Sequence, residues 1–327
     1  MTGLRWGILA TGGIASSFAS DLRTAGLDLV AVGSRSQASA DAFAARFDIP
    51  RAHGSAEALM ADPDVDIVYV ASPHPMHRDG AVAALNAGKH VLIEKPITLN
   101  QAQARQIADL AREKSLLAME AMWTRYLPHM RRLHEIIEAG TLGEVRSVQA
   151  DHTQSLPLDP AHRINALELG GGALLDLGIY PLSFAWDLLG APTTVQALGR
   201  FGETGADTEV ATVMTHAGGT LSSTLTSSRS RGRNGALVVG EKARVEIDAV
   251  WYTPTSFRVI DPRGEVLESY ESIVEGRGMQ YQALAAEEIV ASGHLDSALL
   301  PLEESVAIMG TLDEIRRQIG LVYPEEA

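Results

Sequence analysis

The chain has 327 residues, with 27 Lys and Arg against 41 Asp and Glu, and its net charge of −14 excludes a strongly basic nucleic-acid binder. An apolar fraction of 46% and a charged fraction of 21% belong to a folded globular chain, and the length suits two domains of roughly 100–200 residues each. With no cysteine, disulfides, thiolate metal sites, iron–sulfur clusters and cysteine nucleophiles are all ruled out.

Gly7 and Gly12 interrupt the amino terminus before the apolar core of a signal peptide can form. No stretch reaches the roughly 20 apolar residues that span a bilayer. The expectation is a soluble, cytoplasmic protein with neither a membrane nor a nucleic-acid partner.

Apolar runs rich in Val, Ile and Leu at 5–10, 28–33, 66–71 and 90–93 predict strands buried on both faces. Ala-rich segments at 38–47, 76–87 and 101–114 predict the intervening helices, the last capped by Asn100. This βαβ alternation predicts a doubly wound parallel sheet of the α/β Rossmann type. After about residue 140 strands follow one another with little helix between them, at 145–152, 195–199, 209–216, 220–227, 236–239, 243–247 and 257–260. That pattern predicts a mixed or antiparallel sheet with one broad face. Leu302, Val306, Met309, Leu312, Ile315 and Ile319 recur at helical spacing. The change of pattern places the domain boundary near residues 120–125. The basic stretch 228–233 reads as a solvated loop.

Trp6-Gly7-Ile8-Leu9-Ala10-Thr11-Gly12-Gly13-Ile14-Ala15 follows a predicted strand and opens a predicted helix, the context a dinucleotide fingerprint requires. Ala10 stands where the first glycine is usual, tolerable if its φ is negative. Gly12 leaves room for a pyrophosphate at the helix amino terminus, and Ala10, Thr11, Gly12, Gly13 and Ile14 form the expected phosphate-binding turn. At the end of the second strand, Val32-Gly33-Ser34-Arg35-Ser36 lacks the carboxylate an NAD site uses. Arg35 offers a planar fork for a 2′-phosphate, with Ser34 beside it, so NADP is favoured over NAD.

Ser72, His74 and His77 follow the third of these strands and Glu94-Lys95-Pro96 the next, at the carboxyl edge where open α/β sheets bind ligands. No third clustered ligand joins the histidines, so no metal is expected. Lys95, squeezed between an acid and a proline at the end of an apolar run, is an unusual place for a solvated lysine. Gly170-Gly171-Gly172 then allows close backbone approach before a helix, on which Asp176 and Tyr180 are four apart and share a face.

These motifs, with Glu120-Ala121-Met122-Trp123-Thr124-Arg125-Tyr126-Leu127-Pro128, resemble over nearly the whole chain the glucose-fructose oxidoreductase / inositol dehydrogenase / rhizopine catabolism family. Met122-Trp123 and Tyr180 most resemble its branch of dimeric dihydrodiol dehydrogenases and NADP-dependent D-xylose dehydrogenases. Many members carry histidine at the position of Tyr180, which turns the expectation away from inositol or glucose-fructose activity. The resemblance implies a Rossmann domain for dinucleotide binding over 1–122 and, over 123–327, an α+β domain with a large, mostly antiparallel, open-faced sheet for substrate binding and oligomerisation, with C-terminal helices able to pack back on the first domain. It implies a small carbohydrate or diol substrate and a homodimer or higher homo-oligomer formed through the open sheet. It also implies a cis Lys95–Pro96 bond, His77 near the nicotinamide, and Lys95 with Asp176 and Tyr180 lining the substrate pocket. Trp123 and Arg125, just past the domain boundary, are candidates for the pocket or the cofactor, and a packed tryptophan is equally compatible. His152, Asp159, His162 and Arg163 are expected in a substrate-discriminating loop.

Moving a hydride between a hydroxyl-bearing carbon and a nicotinamide leaves a hydroxyl proton to be carried. A phenol with a free pKa near 10 needs a neighbouring ammonium to serve as a base. The reading assigns Tyr180 as general acid/base, Lys95 as electrostatic partner and donor to the substrate oxygen, and Asp176 as orienting group. Proton exchange by Lys95 itself stays open. A non-catalytic dinucleotide-binding sensor of the same fold is the competing class.

Overall fold

A computed structural model describes residues 3–326; Met1, Thr2 and Ala327, which fall within the expected domain spans, lie outside that description. Among the described residues, β1 (Trp6–Leu9), β2 (Leu29–Gly33), β3 (Arg51–His53), β4 (Ile67–Val70), β5 (His90–Glu94) and β6 (Ala118–Ala121) form a six-stranded sheet in the order β3-β2-β1-β4-β5-β6. Its pairings are parallel. The helices α1 (Gly13–Thr24), α2 (Gln37–Phe47), α3 (Ala56–Met60), α4 (His77–Asn86) and α5 (Gln101–Lys114) fill its connections. Asn100 caps α5 as the sequence predicts, its side chain accepting from Gln103 N at 2.9 Å. Strand order reverses between β1 and β4, and that switch opens a crevice at the carboxyl edge of the sheet. Beneath it Phe18 stacks on Tyr69 at 3.9 Å and meets Trp6 edge-on at 5.5 Å.

The chain then runs through α6 (Pro128–Glu138) and β7 (Val145–Thr153) to a π-helical turn, Leu174–Gly178, which continues directly into α7 (Ile179–Leu189). There follow β8 (Pro192–Phe201), β9 (Asp207–His216), β10 (Leu221–Ser227), β11 (Ala236–Gly240), β12 (Arg244–Ile247), β13 (Phe257–Ile260) and β14 (Val266–Tyr270). Among the described residues these make an eight-stranded sheet, ordered β14-β13-β12-β11-β7-β10-β9-β8. It is antiparallel except where β7 meets β10. Alternation sends Val148, Val210, Met214, Val238 and Val245 inward, with α7 packed against β7 and β10. The opposite face shows Leu198, Val213, Leu221 and Leu225 to solvent, Leu198 being 80% exposed.

The helices α8 (Gln280–Ala291) and α9 (Leu302–Ile319) end the chain. Two compact units result, one comprising the chain up to Trp123 together with Glu275–Val306, the other Thr124–Val274 with the segment from Ala307 onward. In the first, the buried Asp21 carboxylate on α1 accepts from the backbone N–H of Arg277 (3.1 Å) and Met279 (2.7 Å), fixing the approach to α8. Trp6 Nε1 donates to Glu287 at 3.0 Å. No helix among the described residues is long and apolar enough to cross a membrane.

Candidate active site

The crevice of the first unit begins at Ala10, whose φ of +89° departs from the negative value the sequence reading required of it. Gly12 takes the N-cap position of α1 in an extended conformation, and no side chain caps the helix. A Cβ built on Gly12 or Gly13 would meet nothing within 4 Å, so open space lies in front of the helix terminus and its N–H groups. Thr11 and Ile14 flank that opening. Arg35, at the end of β2, is exposed and has no hydrogen bond or ion pair among the described residues, while Ser36 caps α2 by accepting from Ser39 N at 3.4 Å. Ser34 holds its backbone N–H on His53 O at 3.0 Å. The Ser72 hydroxyl, at the end of β4, is buried without a hydrogen-bond partner among the described residues. An uncapped helix, a glycine-lined opening, an unpaired guanidinium and an orphaned hydroxyl fit the phosphates and hydroxyls of a dinucleotide.

At the end of β5 the Lys95–Pro96 bond is cis. The half-buried Lys95 sits in a turn held from several sides. The buried Glu94 carboxylate accepts from Lys95 N at 3.2 Å and from the Tyr69 hydroxyl. Glu120, buried on β6, accepts from Ile97 N at 3.0 Å. His77 lies fully buried with Nδ1 2.8 Å from Pro96 O and Nε2 2.8 Å from Ser72 O, bridging the turns after β4 and β5. Burial, with the Lys95 ammonium adding to it, pulls its pKa down to about 4 against two carbonyls that favour the charged ring. His74 packs edge-on against His77 at 5.6 Å. Trp123 is buried, with the Arg277 guanidinium 5.2 Å over its ring. Among the described residues no group of three or more His, Asp or Glu is placed to hold a metal.

In the second unit Asp176 lies inside the π-helical turn and Tyr180 just past it on α7; they are 5% and 6% exposed. Arg163 donates to Asp176 Oδ2 at 3.0 Å. His152 belongs to β7 rather than to a loop. It stacks on Tyr252 at 3.8 Å and meets Tyr180 edge-on at 5.0 Å, while Tyr180 and Tyr252 are 5.2 Å apart. Asp159 and His162 serve their own loop, accepting from Ala161 N and Ile164 N. Arg125 is buried, with Nη1 on Asp187 at 2.7 Å and Nε and Nη2 on Ser183. Gly171 and Gly172 earn their place sterically: a Cβ on Gly171 would sit 2.7 Å from Ala166 O, and one on Gly172 would collide with Asp207 Oδ1. Tyr252, Tyr69 and Asp207 escape sequence reasoning. No motif surrounds them, and their place depends on contacts with segments distant in sequence.

Fold and site together define a dinucleotide-dependent oxidoreductase. Residues 4–122 match the model of the oxidoreductase family with an NAD-binding Rossmann fold and residues 130–246 that of the GFO/IDH/MocA C-terminal domain, and the chain belongs to this family. The mouse trans-1,2-dihydrobenzene-1,2-diol dehydrogenase is 37% identical over 332 residues, 99% of each chain. The D-xylose 1-dehydrogenase (NADP+) of Hypocrea jecorina is 35% identical over 367 residues, 98% of this chain and 93% of that one. An aldose-aldose oxidoreductase from Caulobacter crescentus, complexed with glycerol, matches with a TM-score of 0.87 and 25% identity over 97% of both chains.

Proposed function

We propose that this protein is an NADP-dependent dehydrogenase of a sugar, polyol or cyclic trans-diol. The observation that carries the reading is the lysine at the ligand edge of the Rossmann sheet, fixed by two buried carboxylates and a buried histidine that hold its turn. Both full-length relatives named above act on such hydroxyl-bearing substrates by name. A bound nicotinamide would supply hydride exchange with the substrate carbon. Tyr180 exchanges the hydroxyl proton as general acid/base, Lys95 donates to the substrate oxygen, and Asp176, its carboxylate steadied by Arg163, orients the reacting group. Gly12, Gly13 and Ile14 receive the pyrophosphate, and Arg35 with Ser34 receives the 2′-phosphate; the exposed guanidinium and the name of the Hypocrea relative support NADP over NAD. The apolar residues on the solvent face of the second sheet support homodimerisation there. The cysteine-free composition suits a reducing cytoplasm.

The test is absorbance at 340 nm with NADP+ or NAD+ and a panel of aldoses, anhydrosugars, polyols and trans-diols, for the wild type and Arg35→Ala. Turnover is expected with NADP+, and Arg35→Ala should raise the KM for NADP+ by at least tenfold more than that for NAD+. Cofactor binding without turnover across the panel overturns the enzymatic reading, and equal KM changes overturn the assignment of Arg35.

A further inference from the structure

We propose that Asp207, the first residue of β9, is the positioning residue for the helix that carries Asp176 and Tyr180; the inference rests on reading that pair as reacting groups. Leu174 opens the π-helical turn, two residues before Asp176, and its backbone N–H donates to Asp207 Oδ2 at 2.7 Å. The carboxylate is 1% exposed and its Oδ1 has no hydrogen-bond partner among the described residues. Gly172, at a φ of +132°, brings its backbone so close to Oδ1 that a side chain there would strike it. An ionisable group with one oxygen committed to a helix start and the other walled in by backbone leaves that helix a single place to begin. Tyr323, in the C-terminal segment, braces the chain just before this turn, its hydroxyl donating to Gly171 O at 3.0 Å. Arg316 lies 4.8 Å over the Tyr323 ring and pairs with Asp313 and Glu326.

The charges around Asp207 agree with that role. Burial lifts its pKa to about 7, opposed by the N–H groups of Leu174, Asp207 and Ala173 and by the Arg316 guanidinium. Tyr323 is pushed well above its usual value by burial and by Asp207, so it stays a neutral donor; Glu326 and Asp176 are the other acids facing it. Capping a helix with a group whose ionisation is so costly suits geometry better than stability.

The experiment measures kcat and KM for NADP+ and for the panel member turned over fastest, in Asp207→Ala, Asp207→Asn, Asp207→Glu and Tyr180→Phe. Asp207→Ala leaves Leu174 N–H unbonded and should lower kcat at least tenfold with KM for NADP+ changed less than twofold. Asp207→Asn keeps an acceptor in place and should restore kcat to within about threefold of wild type. Should the alanine variant not fold, the other two decide: asparagine must exceed glutamate, whose extra methylene displaces the cap, and the reverse order overturns the proposal. Equal losses in alanine and asparagine also overturn it. If Tyr180→Phe loses activity while Asp207→Ala keeps it, the positioning proposal alone fails. If both keep activity, it fails together with the reading of Tyr180.

Discussion

Ala10 carries a methyl group where its backbone turns to a φ of +89°, a region that costs an L-residue roughly 1–3 kcal/mol. Its N–H is tied to Gly33 O at 2.8 Å, which holds the conformation in place. Ala10→Gly removes the strain and adds back about 0.5–1 kcal/mol of chain entropy, so a net gain near 1 kcal/mol is expected. Thermal denaturation of the two proteins should show a rise of a few degrees for the glycine variant, and no rise would mean that the strain is absent. Residue types with special chemistry were legible in advance: a glycine pair after a strand, a lysine before a proline, an arginine where an acid is usual. The sign of φ at Ala10 was not, because a fingerprint records residue type and not backbone torsion. Nor was Asp207 or Tyr252, whose surroundings come from segments distant in sequence.

Among elements, the buried strands announced themselves through Val and Ile, while β3 and β6 did not. Arg51–His53 and Ala118–Ala121 are short and carry Arg, His, Ala and Glu, residues without strand preference, and they join the sheet because their neighbours hold them there. The helices α6 and α8 and the strand β14 were likewise missed. The π-helical turn leaves no compositional trace, since widening a helix by one residue changes hydrogen bonding rather than residue choice. Its cap has a pH signature. Asp207 is raised from an ordinary 3.8 to about 7, so between these values the folded protein holds a proton that the unfolded chain releases. Stability from this group is therefore greatest in acid and declines as pH rises to about 7, by an upper bound of about 4 kcal/mol. His129, pulled down to about 4 by burial, acts in the opposite sense over much of that range, so the wild-type profile alone understates the effect. The difference does not: the melting temperature of Asp207→Asn minus that of wild type should widen from pH 4 to 7 and then level off. A constant difference would place the carboxyl at an ordinary pKa.

At the scale of the whole molecule, both sheets followed from the alternation of patterns along the chain, as did the parallel direction of the first; the mostly antiparallel course of the second came with the family resemblance. Pairing added what patterns omit, the register that sets Leu198 beside Ala211, and Ala211 beside Leu225, on one exposed face of β8, β9 and β10. Val213 and Leu221 extend this apolar surface, which a second copy would cover. Leu198→Glu combined with Val213→Glu should halve the mass measured by light scattering without lowering the melting transition of the separated chain. A double variant that keeps the wild-type mass would overturn the proposed dimerisation through this face.

The division of the first unit into two stretches of sequence bears on its manufacture. A ribosome that has released residues up to Trp123 has made all six strands of the parallel sheet but not Met279, Glu287 or the rest of α8, whose partners Asp21 and Trp6 wait until the nascent chain has passed residue 287. The nucleotide-binding half is therefore completed only late in synthesis, and severing the gene after Trp123 would deliver a fragment with an exposed flank rather than a portable module.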